Sequence, residues 1–146
     1  MIRKIISGGQ TGADRAALDV AIKLGIPHGG WIPKGRITEK GPLPEKYRLQ
    51  EMPTESYPKR TEQNVIDSDG TLIICRGKPT GGSDYTRQMV LKHKRHLLHI
   101  DLTLTTSYDA ASLILSWVNL QRIEVLNVAG PRASEDPDVY NDATRI

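Results

Sequence analysis

The chain has 146 residues, with 20 lysines and arginines against 17 aspartates and glutamates, a length that fits one domain over residues 1–146 with a single sizeable core. Its formal net charge of +3 is too small and too evenly spread to favour a nucleic-acid partner. No stretch approaches the roughly 18 apolar residues of a membrane-spanning helix, and a single cysteine, Cys75, excludes an internal disulfide. We therefore expect a cytoplasmic protein from a reducing compartment that contacts neither nucleic acid nor membrane.

The chain opens with a predicted strand that ends at Ile6, a loop with three glycines, and a helix over 13–24 that stops at Gly25. The backbone amides of such a loop and the positive end of the helix dipole suit an anion. We predict that a phosphate or another oxyanion binds here, at Gly8, Gly9, Gln10, Thr11, Gly12 and Arg15. Thr11 is expected to cap the helix, with Asp14 bonding back to it. The alternative is a tight turn that only packs the helix on the sheet.

Residues 26–32 are interrupted by glycines and predict at best a short strand. Residues 33–55 are rich in Pro, Gly, Lys and Glu and have no sustained period, so we interpret them as a long surface loop of the kind that forms a lid or stays disordered. Trp31 precedes this loop, with Lys34 and Arg36 near it in sequence. An indole can stack on the ring of a purine or a pterin, and the two cations can pair with the negative charges of that ligand. A core tryptophan is the alternative.

Residues 58–67 predict a short helix on which Arg60, Thr61 and Asn64 share one face. The planar fork of an arginine can hold a phosphate with two parallel hydrogen bonds, so these three residues belong to the candidate site. A solvated helix face is the alternative. Asp67 and Asp69 precede the next strand and are expected to serve capping and turn formation.

A second glycine loop follows a continuous apolar strand over 71–75 and leads into a helix over 83–94, with Tyr85, Met89 and Val90 facing inward. Its open backbone, its hydroxyls and the helix N-terminus predict a second anion contact. The residues that form it are Thr80, Gly81, Gly82, Ser83 and Thr86. The alternative is a loop in which Ser83 or Asp84 only caps the helix.

The remaining predicted elements are a strand over 97–101, a helix over 110–121, a strand over 125–129 and a helical tail within 134–146. Strands that alternate with helices predict an α/β, Rossmann-like three-layer sandwich, with a mostly parallel sheet of about five strands and helices on both faces. Ligands bind beyond the carboxyl ends of such strands. The loops after Ile6, Cys75 and Ala129 all emerge at that edge, and the last of them adds Arg132 and Glu135 as candidates.

No metal site is predicted. His93, His96 and His99 recur every third residue but cross a helix-to-strand boundary, so they cannot all face one metal ion. Cys75 lies inside an apolar strand, where thiols are usually inert. Asp14 and Asp84, each near a glycine loop, are weak candidates for an acid or a base.

Several segments together resemble the putative molybdenum carrier family. They are GGQTGADRAALD, GWIPKGR, RTEQNVIDSDGTLI, PTGGSDYT and AGPR, which run from near Ile5 to about Arg132. That family is similar to the molybdenum-cofactor carrier proteins and, more distantly, to the Lonely-Guy (LOG) type nucleotide phosphoribohydrolases with a Rossmann-like fold. A LOG-type enzyme is expected to show PGGxGTxxE; the nearest stretch here, PTGGSDYT, has no glutamate after it in the first turns of the helix.

The resemblance implies a carrier of the molybdenum cofactor that binds an anionic, phosphate-bearing pterin or nucleotide at the glycine loops. It also implies a homo-oligomer, with a molybdoenzyme as the acceptor of the cargo. Two alternatives stay open at this point. One is a LOG-like enzyme that cleaves or transfers at a nucleoside monophosphate, with Asp14 or Asp84 as acid or base and Arg15 or Arg60 on the developing charge. The other is a nucleotide sensor.

Overall fold

The structure, a computed structural model, describes all 146 residues. It contains five helices and nine short strands. The helices are α1 Ala13–Leu24, α2 Tyr57–Ile66, α3 Gly81–Lys92, α4 Ser107–Gln121 and α5 Val139–Arg145. The strands are β1 Lys4–Ile6, β2 His28–Gly29, β3 Trp31–Ile32, β4 Ile37–Thr38, β5 Gly41–Pro42, β6 Gln50–Glu51, β7 Gly70–Cys75, β8 His96–Asp101 and β9 Val125–Ala129.

Five of the strands form one sheet in the order β2-β1-β9-β7-β8, and every neighbouring pair is parallel. The chain first winds outward from β1 to β2, and later places β7 and β8 on the other side before β9 returns to the middle. The strand order therefore reverses around β9, where a parallel α/β sheet offers a crevice at its carboxyl edge. The predicted Rossmann-like α/β class is confirmed.

The two faces of the sheet are covered by different helices. On one face, Leu72 and Ile74 of β7 pack in a core with Ala110 and Val118 of α4, and parts of α1 and α5 lie against the same core. On the other face, Val65 of α2 packs with residues of α3, among them Met89 and Val90, with Tyr85 at the margin, as predicted. No helix is both long and apolar enough to cross a bilayer.

Residues 33–55 differ from the prediction of a plain surface loop. Leu43, Tyr47 and Leu49 are buried in a core of their own with Leu18 and Ile32. The segment also contains strands β4 and β5, which pair antiparallel, and β6, which pairs in parallel with β3. We call residues 33–55 the cover segment, because it lies over the first glycine loop.

Arg36 holds the cover segment together. Its guanidinium donates to the backbone oxygens of Leu43, Pro44, Tyr47 and Leu49 at 2.8–3.4 Å. A guanidinium offers five N–H donors in a fixed plane, which lets one side chain satisfy several carbonyls of an irregular chain. The prediction that Arg36 meets charges of a ligand is therefore wrong, because its donors are already used within the protein.

The element boundaries agree closely with the sequence patterns. α1 and β9 have the predicted limits, and Gly25 ends α1 in the left-handed conformation. The helical tail is confined to α5. The most useful difference is at α3, which begins at Gly81 and not at Ser83, so the paired glycines form the first turn of the helix.

Candidate functional site

A cavity of about 330 Å³ lies at the carboxyl edge of the sheet, where the loops after β1, β7 and β9 meet. The wall formed by the first loop and α1 includes Gly8, Gln10 and Asp14. The facing wall belongs to α2 and α3, and the floor to the end of β9 and residues 130–132. The other lining residues are Tyr57, Pro58, Arg60, Thr61, Asn64, Gly81, Gly82, Ser83, Tyr85, Thr86, Asn127, Val128, Ala129, Gly130, Pro131, Arg132 and Glu135.

Among the backbone amides at the cavity, those of Gly8, Gly81 and Gly82 have no acceptor in the chain. The last two are unpaired because they stand in the first turn of α3, where the helix supplies no acceptor. Thr80 precedes α3 but its side chain makes no capping hydrogen bond. The cavity therefore combines free N–H donors with the positive end of a helix dipole.

Polar side chains at the cavity add two further donors and one acceptor without partners in the chain. Gln10, Arg60, Ser83 and Asn127 are each more than nine-tenths buried. The Nε2 of Gln10, the Oγ of Ser83 and the Oδ1 of Asn127 make no hydrogen bond within the chain. The only buried side-chain N or O atom without a partner is Arg15 Nε, so the three unpaired atoms reach solvent at the cavity and are open to a ligand.

Arg60 reaches across from α2 to the first glycine loop. Its Nη1 donates to the carbonyl oxygen of Gly8, and its remaining N–H groups have no partner in the chain. Burial lowers the pKa of Arg60, but an arginine stays charged in proteins. The face shared by Arg60, Thr61 and Asn64 does line the cavity, so the structure brings these three residues together as predicted.

Asp14 places a carboxyl group in the same cavity. Its Oδ2 accepts a hydrogen bond from the backbone N–H of Gln10 at 3.3 Å. Burial raises the pKa of Asp14 to about 6, against the opposing fields of Arg60, Arg15 and Arg132. No guanidinium comes close enough to form an ion pair with it. Asp14 therefore changes charge near neutral pH inside the cavity.

Most of the first glycine loop is already occupied by contacts within the protein. The amide of Gly9 donates to Ser7 Oγ at 3.3 Å, and that of Thr11 to Gln10 Oε1 at 3.0 Å. A Cβ on Gly9 would lie 2.9 Å from Leu49, and one on Gly12 would lie 2.4 Å from the oxygen of Pro131. Gly9, Thr11 and Gly12 therefore stay outside the cavity, and of this loop only Gly8 and Gln10 face it.

Thr11 and Arg15 have other roles than those predicted. The N-cap of α1 is Gly12, without a side-chain bond, so the prediction that Thr11 caps this helix is wrong. The Thr11 hydroxyl instead donates to Glu39 of the cover segment and accepts from the backbone N–H of Ala133. Arg15 lies beneath the loop, with its guanidinium 5.0 Å from the ring centre of Tyr47.

The structure places Trp31 and Lys34 outside the cavity. The indole N–H of Trp31 donates to Asp67 Oδ2 at 2.7 Å, which turns the ring into a neighbouring groove. Its backbone is held on both sides by the Asn64 amide. Lys34 is exposed and its side chain contacts no polar group. The rings that do border the cavity are Tyr57 and Tyr85, which the sequence patterns did not single out for a ligand.

The remaining predicted residues lie in or next to α3, and only some of them line the cavity. Thr86 lines the cavity and donates to the carbonyl oxygen of Gly82 at 3.0 Å. Thr80 borders an adjoining hollow. Asp84 lies outside the cavity and accepts from Arg87 and Gln88, both at 2.8 Å. These bonds lower its pKa, and its position outside the cavity separates Asp84 from the groups that line it.

Thiol and imidazole groups do not gather at the cavity. Burial raises the pKa of Cys75 to about 11, and its Sγ lies 3.2 Å from His99 Nε2. His93 pairs with Glu62 at 2.7 Å, while His96 is exposed. No group of three or more His, Cys, Asp or Glu side chains is placed to hold a metal ion.

Comparison with known proteins adds two findings. The family model described as the circularly permutated YpsA SLOG family matches residues 5–146. A crystal structure described as a putative molybdenum carrier protein from Syntrophus aciditrophicus SB superposes with a TM-score of 0.97. It is 59% identical in sequence, and the match covers 99% of this chain and 91% of that one. No curated protein matches.

Proposed function

Because the chain belongs to the circularly permutated YpsA SLOG family, we propose that it is a carrier that binds a small anionic heterocycle, with the molybdenum cofactor as its cargo. The anion, a phosphate or a related oxyanion, occupies the cavity between Gly8 and the first turn of α3. The similar crystal structure is described as that of a putative molybdenum carrier protein, and the proposal gives this chain the same role.

One observation carries the anion-binding part of this proposal. Unpaired donors from three separate elements converge on one cavity: the amides of Gly8, Gly81 and Gly82, and the guanidinium of Arg60. Charge-assisted hydrogen bonds of N–H groups to an oxyanion are roughly twice as strong as neutral ones. A cavity built in this way stabilises negative charge whatever the remainder of the ligand is.

The donor set supports one way in which molybdenum would be carried. The cavity offers N–H and hydroxyl groups and the aromatic rings of Tyr57 and Tyr85, and no cluster of metal ligands. A phosphate and a planar ring fit such a surface. The metal would therefore travel as part of an organic cargo that the protein holds by its phosphate and its ring.

One observation favours a second function, the cleavage of a nucleoside monophosphate. Asp14 stands in the anion cavity with a pKa of about 6, which is the range that suits a general acid or base at neutral pH. Release of free adenine from AMP, lost in Asp14→Asn, would favour this enzyme over the carrier. Binding of AMP without any release supports the carrier.

Self-association is part of the proposal, with a molybdoenzyme as the acceptor of the cargo. The outer side of α4 exposes Tyr108, Leu115 and Leu120 by 81%, 63% and 78%. Contiguous exposed apolar patches mark contact surfaces, and Tyr108 and Leu115 lie about two helical turns apart on one side of α4. Sedimentation of the wild type is expected to show an oligomer that Leu115→Glu dissociates; a wild type that stays monomeric at high concentration would refute this part.

Two measurements test the binding function. Native mass spectrometry of freshly purified protein should detect a co-purifying anion of small mass. Calorimetric titration with AMP and with inorganic phosphate should show binding that Arg60→Met weakens by tenfold or more, since hydrogen bonds to charged groups contribute about 1.5–3 kcal/mol. The matched control is Arg87→Met, which removes an arginine outside the cavity. Equal affinities in the two variants would contradict the proposal.

A further inference from the structure

Asp14 is an acidic group in a cavity whose free backbone amides and arginines favour negative charge. Asp14 is only 7% exposed as a residue, and it lines the cavity beside Gly8, whose amide is free. A Cβ built on Gly8 would lie 2.9 Å from Asp14 Oδ2 and 2.6 Å from Arg60 Cζ. An anion held by the Gly8 amide and by Arg60 would therefore lie close to this carboxyl group.

Two negative charges in one half-enclosed cavity repel each other strongly, because little water lies between them. The charged groups that face Asp14 are Arg15 from its own helix, Arg60 from α2 and Arg132 after β9. Arg132 is itself paired with Glu135 at 3.3 Å, and Arg15 stacks near Tyr47. The arginines therefore leave Asp14 without a direct counter-ion, and the repulsion is not cancelled by an ion pair.

We propose that the cavity takes up its anion together with one proton, which Asp14 carries. The proton comes from solvent and bonds to a carboxylate oxygen of Asp14, so that a repelling charge becomes a neutral O–H donor. That O–H can donate to an oxygen of the anion, which favours oxyanions whose facing oxygens carry no proton. This inference rests on the anion-binding function proposed above and assigns Asp14 as its specificity-determining residue.

The protonation behaviour of Asp14 agrees with this inference. Burial already raises its pKa to about 6 in the absence of an anion, and a bound anion would raise the pKa further. No histidine lines the cavity, so Asp14 is the group there whose charge changes between about pH 5 and pH 8.

The test is the affinity for sulfate between about pH 5 and pH 8, measured by calorimetry, because sulfate keeps its double charge over this range. If one proton enters with the anion, wild-type affinity falls by about tenfold per pH unit above pH 6. Asp14→Asn should bind with an affinity that is nearly independent of pH and exceeds that of the wild type at pH 8. Asp84→Asn, a carboxylate removed outside the cavity, should keep the wild-type slope.

A second measurement needs no variant. Titration of the wild type at pH 7 in two buffers of different ionisation enthalpy should show the uptake of close to one proton per sulfate bound. Binding with a flat pH profile and no proton uptake, or a slope that persists in Asp14→Asn, would overturn the role of Asp14 and leave the anion site intact. If neither the wild type nor Asp14→Asn binds sulfate at any pH, the anion site itself fails, and this inference with it.

Discussion

The two glycine-rich loops of this protein have similar sequences but differ in burial and in the hydrogen bonding of their backbone amides. Residues 8–12 are buried, and the amides of Gly9, Gln10 and Thr11 donate to side chains of the same region. In the second loop Gly81 and Gly82 are exposed and their amides are free. The first loop therefore shapes the cavity, while the second supplies most of the backbone donors.

Glycine is required by packing at Gly9 and Gly12 of the first loop, but not at Gly82 of the second. In the first loop, Gly9 and Gly12 have positive φ values of 72° and 82°, and a side chain would strike neighbouring atoms. At Gly82 a Cβ would meet nothing within 4 Å. Gly9 and Gly12 are therefore required by packing, whereas the amide of Gly82 is free because it lies in the first turn of α3.

The largest expected effect follows from substituting a glycine of the first loop. Gly12→Val combines a strained positive φ with a Cβ 2.4 Å from the Pro131 oxygen, and it should lower the free energy of unfolding by about 4 kcal/mol. Gly82→Ala is the matched control in the second loop and should change stability by less than about 0.5 kcal/mol. Urea denaturation measures both; similar losses in the two variants would contradict the division of roles.

Asp14, which lies between the two loops, should make stability depend on pH. The raised pKa means that the folded state keeps its proton up to about pH 6, while the unfolded carboxyl loses it near 3.8. Stability from this group therefore falls between these pH values. Above pH 6 the free energy of unfolding is therefore lower, by up to about 3 kcal/mol, than it is below pH 3.8.

Asp14→Asn removes that loss, so the variant should be more stable than the wild type at pH 8 and equally stable at pH 3.5. The measurement is the difference in the free energy of unfolding between the two proteins at each pH, because other carboxyl groups affect both in the same way. A difference that does not change with pH would show that Asp14 ionises normally.

Loosening the cover segment should expose the first loop at a smaller loss of stability. Arg36→Met removes the hydrogen bonds to four carbonyl oxygens and should lower the free energy of unfolding by about 2–3 kcal/mol. Amide exchange of Gly9, which Leu43 and Leu49 cover, should then accelerate. Lys34→Met, at an exposed lysine of the same segment, should change neither quantity.

The smallest effect comes from removing one free amide of the second loop. Gly82→Pro deletes an N–H in the first helical turn, where proline is tolerated, so folding should be preserved. Affinity for inorganic phosphate should fall by about tenfold, since a hydrogen bond to an anion is lost. Gly82→Ala keeps the N–H and should bind like the wild type; a proline variant with undiminished affinity would remove this amide from the site.

The sequence predicted the sheet because continuous apolar runs such as 71–75 and helical stripes such as 13–24 have strong periods. The same patterns did not predict the structure of the cover segment, because that segment has no such period. Leu43, Tyr47 and Leu49 are buried without any period, and their backbone is held by Arg36 across several residues. Contacts of that kind depend on tertiary packing, which local patterns do not reveal.

The candidate site was predictable in its position but not in all its members. The carboxyl edge follows from strand order, and the face of Arg60, Thr61 and Asn64 follows from helical spacing. Which amides stay free does not follow, because that depends on side chains folding back, as Gln10 does on Thr11. Trp31 was a candidate because its indole lies near two cations in the sequence, yet that indole donates its N–H to Asp67 outside the cavity.

The most direct test of the anion site is a sulfate titration of isotopically labelled protein followed by the backbone amide signals. The amides of Gly8, Gly81 and Gly82 should shift together in one saturable transition, while those of Gly9 and Thr11, which are already bonded, should move little. A transition confined to Gly9 and Thr11, or no shift at Gly82, would contradict the proposal that the free amides of the two loops hold one anion.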